Sequence, residues 1–180
     1  MKFEELKTKR LTLRKLTPEV YRYVFENYTE EQLVKFFGFS ANDELFTEEE
    51  KYRNGLSTFN KSFLLFHIIL TDTKKVIGWC GYHTWYTSHF RAELGYVLNN
   101  DEHMNKGYMT EAIAPIIDYG FNIMDLHRIE AFVGPGSSAS LTLLEKHKFK
   151  KEGHLREHYF KNNKMEDSVL FALLKREYKE

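Results

Sequence analysis

The sequence predicts a mixed α/β fold built around one central sheet. Three observations support this. Strand-length apolar runs alternate with capped helical segments along the whole chain. The 180 residues, 42% of them hydrophobic, are enough to bury one sizeable core. No repeat, low-complexity tract or linker-like shift in composition divides the chain, so a single domain over residues 1–180 is expected.

The elements follow in order. Leu11-Thr12-Leu13-Arg14 alternates apolar and polar residues and predicts a first strand. Thr17-Pro18-Glu19 supplies a capping hydroxyl, a first-turn proline and an early acid for a helix carrying Val20, Val24 and Tyr28. Thr29-Glu30-Glu31-Gln32 is a capping-box pattern for a second helix, which Gly38 can end. Thr47-Glu48-Glu49-Glu50 has the same pattern and predicts a third helix start, with Tyr52, Leu56 and Phe59 as its apolar stripe. Ser62–Thr71 and Val76–Tyr86 read as hairpin partners, with Gly78 and Gly81 as points of bulging or close approach. A strand Arg91–Leu98, a long helix Gly107–Met124 containing Pro115 and a strand Arg128–Val133 form one βαβ unit, whose two strands should be parallel. A short helix Ser138–Lys146 and strands Phe149–Phe160 and Met165–Leu174, joined at Lys161-Asn162-Asn163-Lys164, end the chain.

Composition narrows the function classes. Lys+Arg and Asp+Glu both total 26, so no global field steers the chain toward nucleic acid or an anionic membrane. The lone Cys80 excludes an internal disulfide and reads as a buried strand residue. The start of the chain lacks a signal-peptide core, and no run reaches the roughly 20 apolar residues of a spanning helix. A cytoplasmic protein is expected. His154 and His158 lack a carboxylate-rich partner set, so no metal is expected.

The chemistry concentrates in residues 93–112. There a strand runs into a polar loop and then a glycine-bearing turn that opens a helix. Amides at a helix start have no internal partners, and the helix dipole adds positive potential, which together make a phosphate site. Gly107 admits close approach, and Lys106 adds a mobile charge. By physics alone an ordinary strand-to-helix loop fits equally well.

Gly95-Tyr96-Val97-Leu98 followed by Asn105-Lys106-Gly107-Tyr108-Met109-Thr110-Glu111-Ala112 resembles the acetyl-CoA signature of the GNAT acetyltransferase superfamily. In particular it resembles the Rim-type branch, which acetylates the N-termini of ribosomal proteins. The resemblance begins at Thr8-Lys9-Arg10-Leu11-Thr12-Leu13-Arg14 and runs through His127-Arg128-Ile129-Glu130-Ala131 to Phe149-Lys150-Lys151-Glu152-Gly153-His154-Leu155-Arg156. It implies the GNAT (acyl-CoA N-acyltransferase) fold, a mostly antiparallel, mixed, twisted sheet flanked by helices. It also implies acetyl-CoA as co-substrate, a primary-amine acceptor, and a monomer or homodimer with no metal.

The resemblance also implies roles. Glu93 is the first choice of general base and Glu130 the second; the alternative for each is a structural ion pair, with Arg91 and Arg128 nearby. Backbone amides at Val97 and Leu98 would face the thioester oxygen. His103, Met104, Asn105, Lys106, Gly107, Tyr108, Met109 and Thr110 would hold the phosphates, with Ser137 and Ser140 along the coenzyme A arm. Many relatives protonate the leaving thiolate with a tyrosine where this chain has Leu144; Ser140 is the candidate here, unless it only serves its own backbone. Some of Trp79, Tyr82, His83, Trp85 and Tyr86 could line the amine pocket. Asn105, Met109, Ser137 and Lys148 depart from the family's usual residues; the first three, with the absent tyrosine, motivate a non-enzymatic alternative, a degenerate acyl-CoA-binding or regulatory module. The acceptor is expected to be a protein N-terminal amine, with a polyamine or aminoglycoside as the other enzymatic reading.

Overall fold

The computed structural model describes residues 1–39, 42–58, 60–161 and 163–178. Among these, eight strands form one sheet: β1 (Glu5–Lys7), β2 (Leu11–Leu16), β3 (Lys61–Leu70), β4 (Val76–Tyr86), β5 (Arg91–Leu98), β6 (Arg128–Val133), β7 (Lys150–Lys161) and β8 (Lys164–Leu174). Their spatial order is β1-β2-β3-β4-β5-β6-β8-β7. Every neighbouring pair is antiparallel except β5 and β6. The helices are α1 (Pro18–Asn27), α2 (Glu30–Phe37), α3 (Asn42–Arg53), α4 (Tyr108–Asn122), α5 (Ser138–Lys146) and α6 (Lys175–Tyr178). Among the described residues, no helix is long and apolar enough to cross a membrane.

The local signals account for most boundaries. Thr17 caps α1 by accepting from the Val20 amide, and Thr29 and Gln32 form a reciprocal capping box at α2. Gly38 ends α2 at φ +74°, the left-handed conformation a helix C-cap favours. Strands β4, β5 and β6 and helix α5 have the expected bounds. The βαβ unit places β5 and β6 in parallel, as expected. Pro115 lies inside α4 without ending it.

Two expectations fail. Helix α3 begins at Asn42, so Thr47 lies within it rather than capping it. A hydroxyl three residues before an acid recurs inside helices, and that local spacing alone does not distinguish a cap. The helix ends at Arg53, leaving Leu56 beyond it, and Phe59 and Asn162 lie outside the described residues. Strand β1 was missed because its three residues, Glu5-Leu6-Lys7, carry too little pattern; antiparallel pairing with β2 defines it.

Each face of the sheet has its own core. On one, α4 and α5 pack Ile113, Ile116, Phe121 and Leu144 over Phe66, Tyr82, Leu94 and Ile129. On the other, α1–α3 pack Val24, Leu33, Phe37 and Leu45 with Phe63 of β3. Helix α4 rides close to β4 because Gly120 leaves room for Tyr82, whose hydroxyl donates to the Ile116 carbonyl at 2.8 Å. A methyl at position 120 would stand 2.1 Å from that hydroxyl. We expect Gly120→Ala to cost ~1–3 kcal/mol of stability in urea unfolding, by overpacking. Combining it with Tyr82→Phe should recover part of the loss, measured as a coupling energy in a double-mutant cycle.

Candidate active site

The parallel pairing of β5 with β6 lasts three residues: Arg91 with Arg128, Ala92 with Ile129, Glu93 with Glu130. Beyond that point β5 stays with β4 through Leu98, while β6 stays with β8 through Val133. The two strands therefore part and leave a wedge in the middle of the sheet. A cavity of about 270 Å³ occupies it, lined by Glu93 and Tyr96 on one side and Phe132, Ser137 and Ser140 on the other. The edge of β5 past Glu93 has no strand partner on the β6 side, so main-chain groups there face the cavity. Of the two expected carbonyl-binding residues, neither lines the cavity: the Asn99 amide bonds the Ile77 carbonyl of β4, and strand alternation turns the Val97 amide to the same side and leaves the Leu98 amide on the open edge.

Strand alternation splits the site across the sheet. Ala92, Leu94, Tyr96 and Leu98 belong to the α4–α5 core. Glu93 lies on the opposite face, with its Oε1 3.3 Å from His83 Nε2 and accepting from the Tyr159 hydroxyl at 3.3 Å. Burial, with the Glu93 charge nearby, pushes the Tyr159 phenol up to about 12. Trp79 and His83 line the wedge and also a larger cavity beneath α1–α3, so the two spaces share a boundary at these rings.

Glu130 does not join Glu93. It is 8% exposed and held by Arg91 at 3.0 Å and Arg128 at 2.8 Å, and it does not line the wedge. The ion-pair reading accounts for it. Each of its oxygens accepts from one guanidinium, and the side chain lies away from the wedge.

Downstream of β5, a 3-10 turn at Asp101–His103 leads to the start of α4. Asn105 (φ +57°) and Gly107 (φ +74°) both adopt left-handed geometry, so Asn105 does what the family's glycine does there. Gly107 caps α4 without any side-chain bond, and the first helical bond runs from the Glu111 amide to the Gly107 carbonyl. The amides of Tyr108, Met109 and Thr110 thus open outward from the first turn. Lys106 is exposed beside them and Met104 is 46% exposed. Met109 packs on the main core instead of crowding the turn. His103 is buried, with its ring 6.4 Å from that of Tyr108, and so supports the loop from beneath. Lys148 has φ +64° where the family's other glycine would stand.

Two features were missed by sequence reasoning. Arg10 stacks over Tyr108 at 4.5 Å, donates to the Lys106 carbonyl at 3.0 Å and pairs with Glu111 at 2.6 Å. Thr8 also donates to Glu111 at 2.6 Å. Burial would raise the Glu111 carboxyl, but the Thr8 and Arg10 bonds outweigh it and lower its pKa. The β1–β2 loop is thereby tied to the turn that opens α4. The second feature is Tyr96. Its hydroxyl is buried in the wedge without a hydrogen bond of normal geometry. Burial raises its pKa, while the Ser140 side chain facing it acts to lower it. Ser140 thus looks across the wedge, and Leu144, at the family's tyrosine place, is fully buried in the core. Cys80 is buried, with its thiol pushed up by burial. His154 and His158 pair with Asp167 and Ser168. No group of three metal-binding side chains occurs among the described residues.

Residues 10–150 match the acetyltransferase (GNAT) domain family. The chain belongs to the GNAT acetyltransferases. It is therefore an acetyl-CoA-dependent N-acetyltransferase. It is 36% identical to an uncharacterized N-acetyltransferase, p20, from Bacillus licheniformis, over 97% of this chain and 98% of that one. Among solved structures, the spermidine N-acetyltransferase SpeG of Vibrio cholerae superposes with TM-score 0.70 at 26% identity, over 96% of this GNAT chain and 98% of its own. A ribosomal-protein-S5-alanine acetyltransferase from Vibrio fischeri superposes with TM-score 0.67 at 21% identity, over 98% and 100%, a likeness of fold alone. The phosphate turn, the open β5 edge and the unpaired Tyr96 hydroxyl are each a group that coenzyme A could satisfy, so the residues present fit the co-substrate.

Because Gly107 holds φ +74°, a β-branched residue there must strain the turn that presents the amides. Gly107→Val should weaken coenzyme A binding at least tenfold, about 1.4 kcal/mol, in calorimetry. The added Cβ would meet only Arg10 at 3.6 Å, so the far-ultraviolet circular dichroism should stay unchanged.

Proposed function

We propose that this chain acetylates a primary amine, the terminal amine of a polypeptide, by direct attack on acetyl-CoA with Glu93 as base. Bound acetyl-CoA would supply an activated acyl group as a thioester. The amides of Tyr108–Thr110, with Lys106, would hold its diphosphate and set the depth of the arm in the wedge. The β5 edge would donate to the carbonyl oxygen as it gains negative charge.

The amine reaches the wedge from the α1–α3 face, past Trp79 and His83. It arrives protonated at neutral pH, and Glu93, alone or through His83 at 3.3 Å, takes that proton. The neutral nitrogen attacks the carbonyl carbon to form the C–N bond and gives up its second proton to water as the C–S bond breaks, and the thiolate takes a proton from Tyr96 that water restores. From the other face, the raised pKa keeps Tyr96 an O–H donor across the working pH range, directed at the departing sulfur beside Ser140. The single observation that carries this reading is that the wedge brings Glu93 from one face of the sheet and Tyr96 from the other into one cavity.

Glu93→Gln should lower kcat/KM for amine acetylation about 10²–10⁴-fold near pH 7, in proportion to the loss of a general base. The deficit should shrink as pH rises and solvent deprotonates the amine; thiol release across pH 6.5–9.5 measures it, and an unchanged profile would remove Glu93 from the role. Tyr96→Phe should lower kcat with little change in coenzyme A affinity. If affinity falls and kcat holds, Tyr96 only seats the arm.

A further inference from the structure

The acceptor cavity under α1–α3 has a volume of about 600 Å³, in the range of small-molecule sites. A cavity of roughly 150 Å³ already holds benzene, so a ring with a short chain fits easily. Its walls are rings: Tyr21, Phe37, Phe39, Phe63 and Trp79. The charge there is small. Glu44, Glu48 and Lys51 line the space, and Glu48 is already engaged, accepting from the Tyr21 hydroxyl at 2.8 Å and pairing with Lys51 at 2.8 Å.

At the floor, His67 lies 2.7 Å from the Arg14 guanidinium through Nδ1. A guanidinium only donates, so Nδ1 accepts and the ring proton sits on Nε2. Burial, then the Arg14 charge, holds the imidazole well below its usual pKa, so it is neutral. Burial also lowers Arg14 itself to about 10. The floor therefore offers a neutral N–H donor backed by a buried cation. The lining carries two acids, Glu44 and Glu48, and one base, Lys51, which pairs with Glu48, while Arg14 stands behind the floor, so little net charge answers the two or more positive charges of a polyamine. A ring-bearing amine would bring one charge, which Glu93 discharges, and bury its body against aromatic walls.

We propose that the acceptor carries its primary amine a few bonds from a ring-sized apolar group, lodged in this cavity, and that it is not a polyamine. This rests on the preceding reading, in which the amine enters from this face. The same chemistry has two sources, a free arylalkylamine or the first side chain of a polypeptide, and the assay separates them.

The experiment compares kcat/KM for phenethylamine, a Phe-initiated peptide, the same peptide initiated by Ala, and spermidine. Calorimetry of phenethylamine with the coenzyme A complex reads the cavity independently of turnover. The two ring-bearing acceptors should bracket the preferred source, and the better of them should exceed both the Ala peptide and spermidine at least tenfold. Leu56→Trp, at the half-buried cavity wall, should lower that value at least fivefold and weaken phenethylamine binding while coenzyme A affinity holds. Spermidine matching or exceeding the ring-bearing acceptors would overturn the proposal and leave acetyl transfer intact. So would ring and Ala acceptors turned over equally with Leu56→Trp silent. If nothing is acetylated, saturable phenethylamine binding that Leu56→Trp abolishes upholds the cavity assignment while the chemistry of the preceding section fails; no saturable binding overturns it.

Discussion

The site depends on where β5 and β6 stop being a pair. Up to Glu93 and Glu130 the two strands run parallel, and a cluster of charges clamps this closed end: Glu130 between Arg91 and Arg128, and Arg128 onward to Glu152 at 2.6 Å. Hydrogen bonding to Glu152, outweighing burial, raises Arg128 further. Partly buried ions at a strand junction are costly unless they are well bonded, and here both Glu130 oxygens accept and all three Arg128 nitrogens donate. Past this clamp the two strands follow different neighbours, β4 on one side and β8 on the other, and the wedge follows from that divergence.

A wedge through a sheet does what a surface pocket cannot. Ordinary strand alternation puts Glu93 and Tyr96 on opposite faces, where an intact sheet would isolate them. The gap brings the Glu93 carboxylate from the α1–α3 side and the Tyr96 hydroxyl from the α4–α5 side to the same small volume. The phosphate turn at the start of α4 continues directly from β5, so the strand that carries Glu93 also sets the position of the helix amides. Arg10 and Thr8 secure this arrangement from the first hairpin through Glu111, giving the opening residues of the chain a physical part in the site.

The residues differ in how visible these roles were in the sequence. Gly107, Asn105 and Lys106 announced themselves because turns and helix starts are governed by neighbours in sequence. The same holds for the caps at Thr17 and Thr29, and local spacing misled only where Thr47 copied a cap inside a helix. Arg10 and Glu111 lie 101 residues apart, and no local pattern couples them. Tyr96 stood in the sequence only as part of the Gly95–Leu98 signature with no role of its own, since only packing reveals that its hydroxyl is buried without a normal partner. The two acids Glu93 and Glu130 looked equivalent, each on a strand near an arginine; three-dimensional neighbours separated them.

By itself the sequence determined the alternation of strands and helices, the βαβ unit and the phosphate-ready turn, because backbone propensity, capping and hydrophobic period act over a few residues. Only the tertiary structure decided that Glu93 faces an open cavity while Glu130 is locked between guanidiniums. It alone decided that the larger cavity is walled by rings from α1, α2, β3 and β4. Those outcomes depend on which distant segments meet across the sheet, and contact between remote residues leaves no periodic trace in the chain.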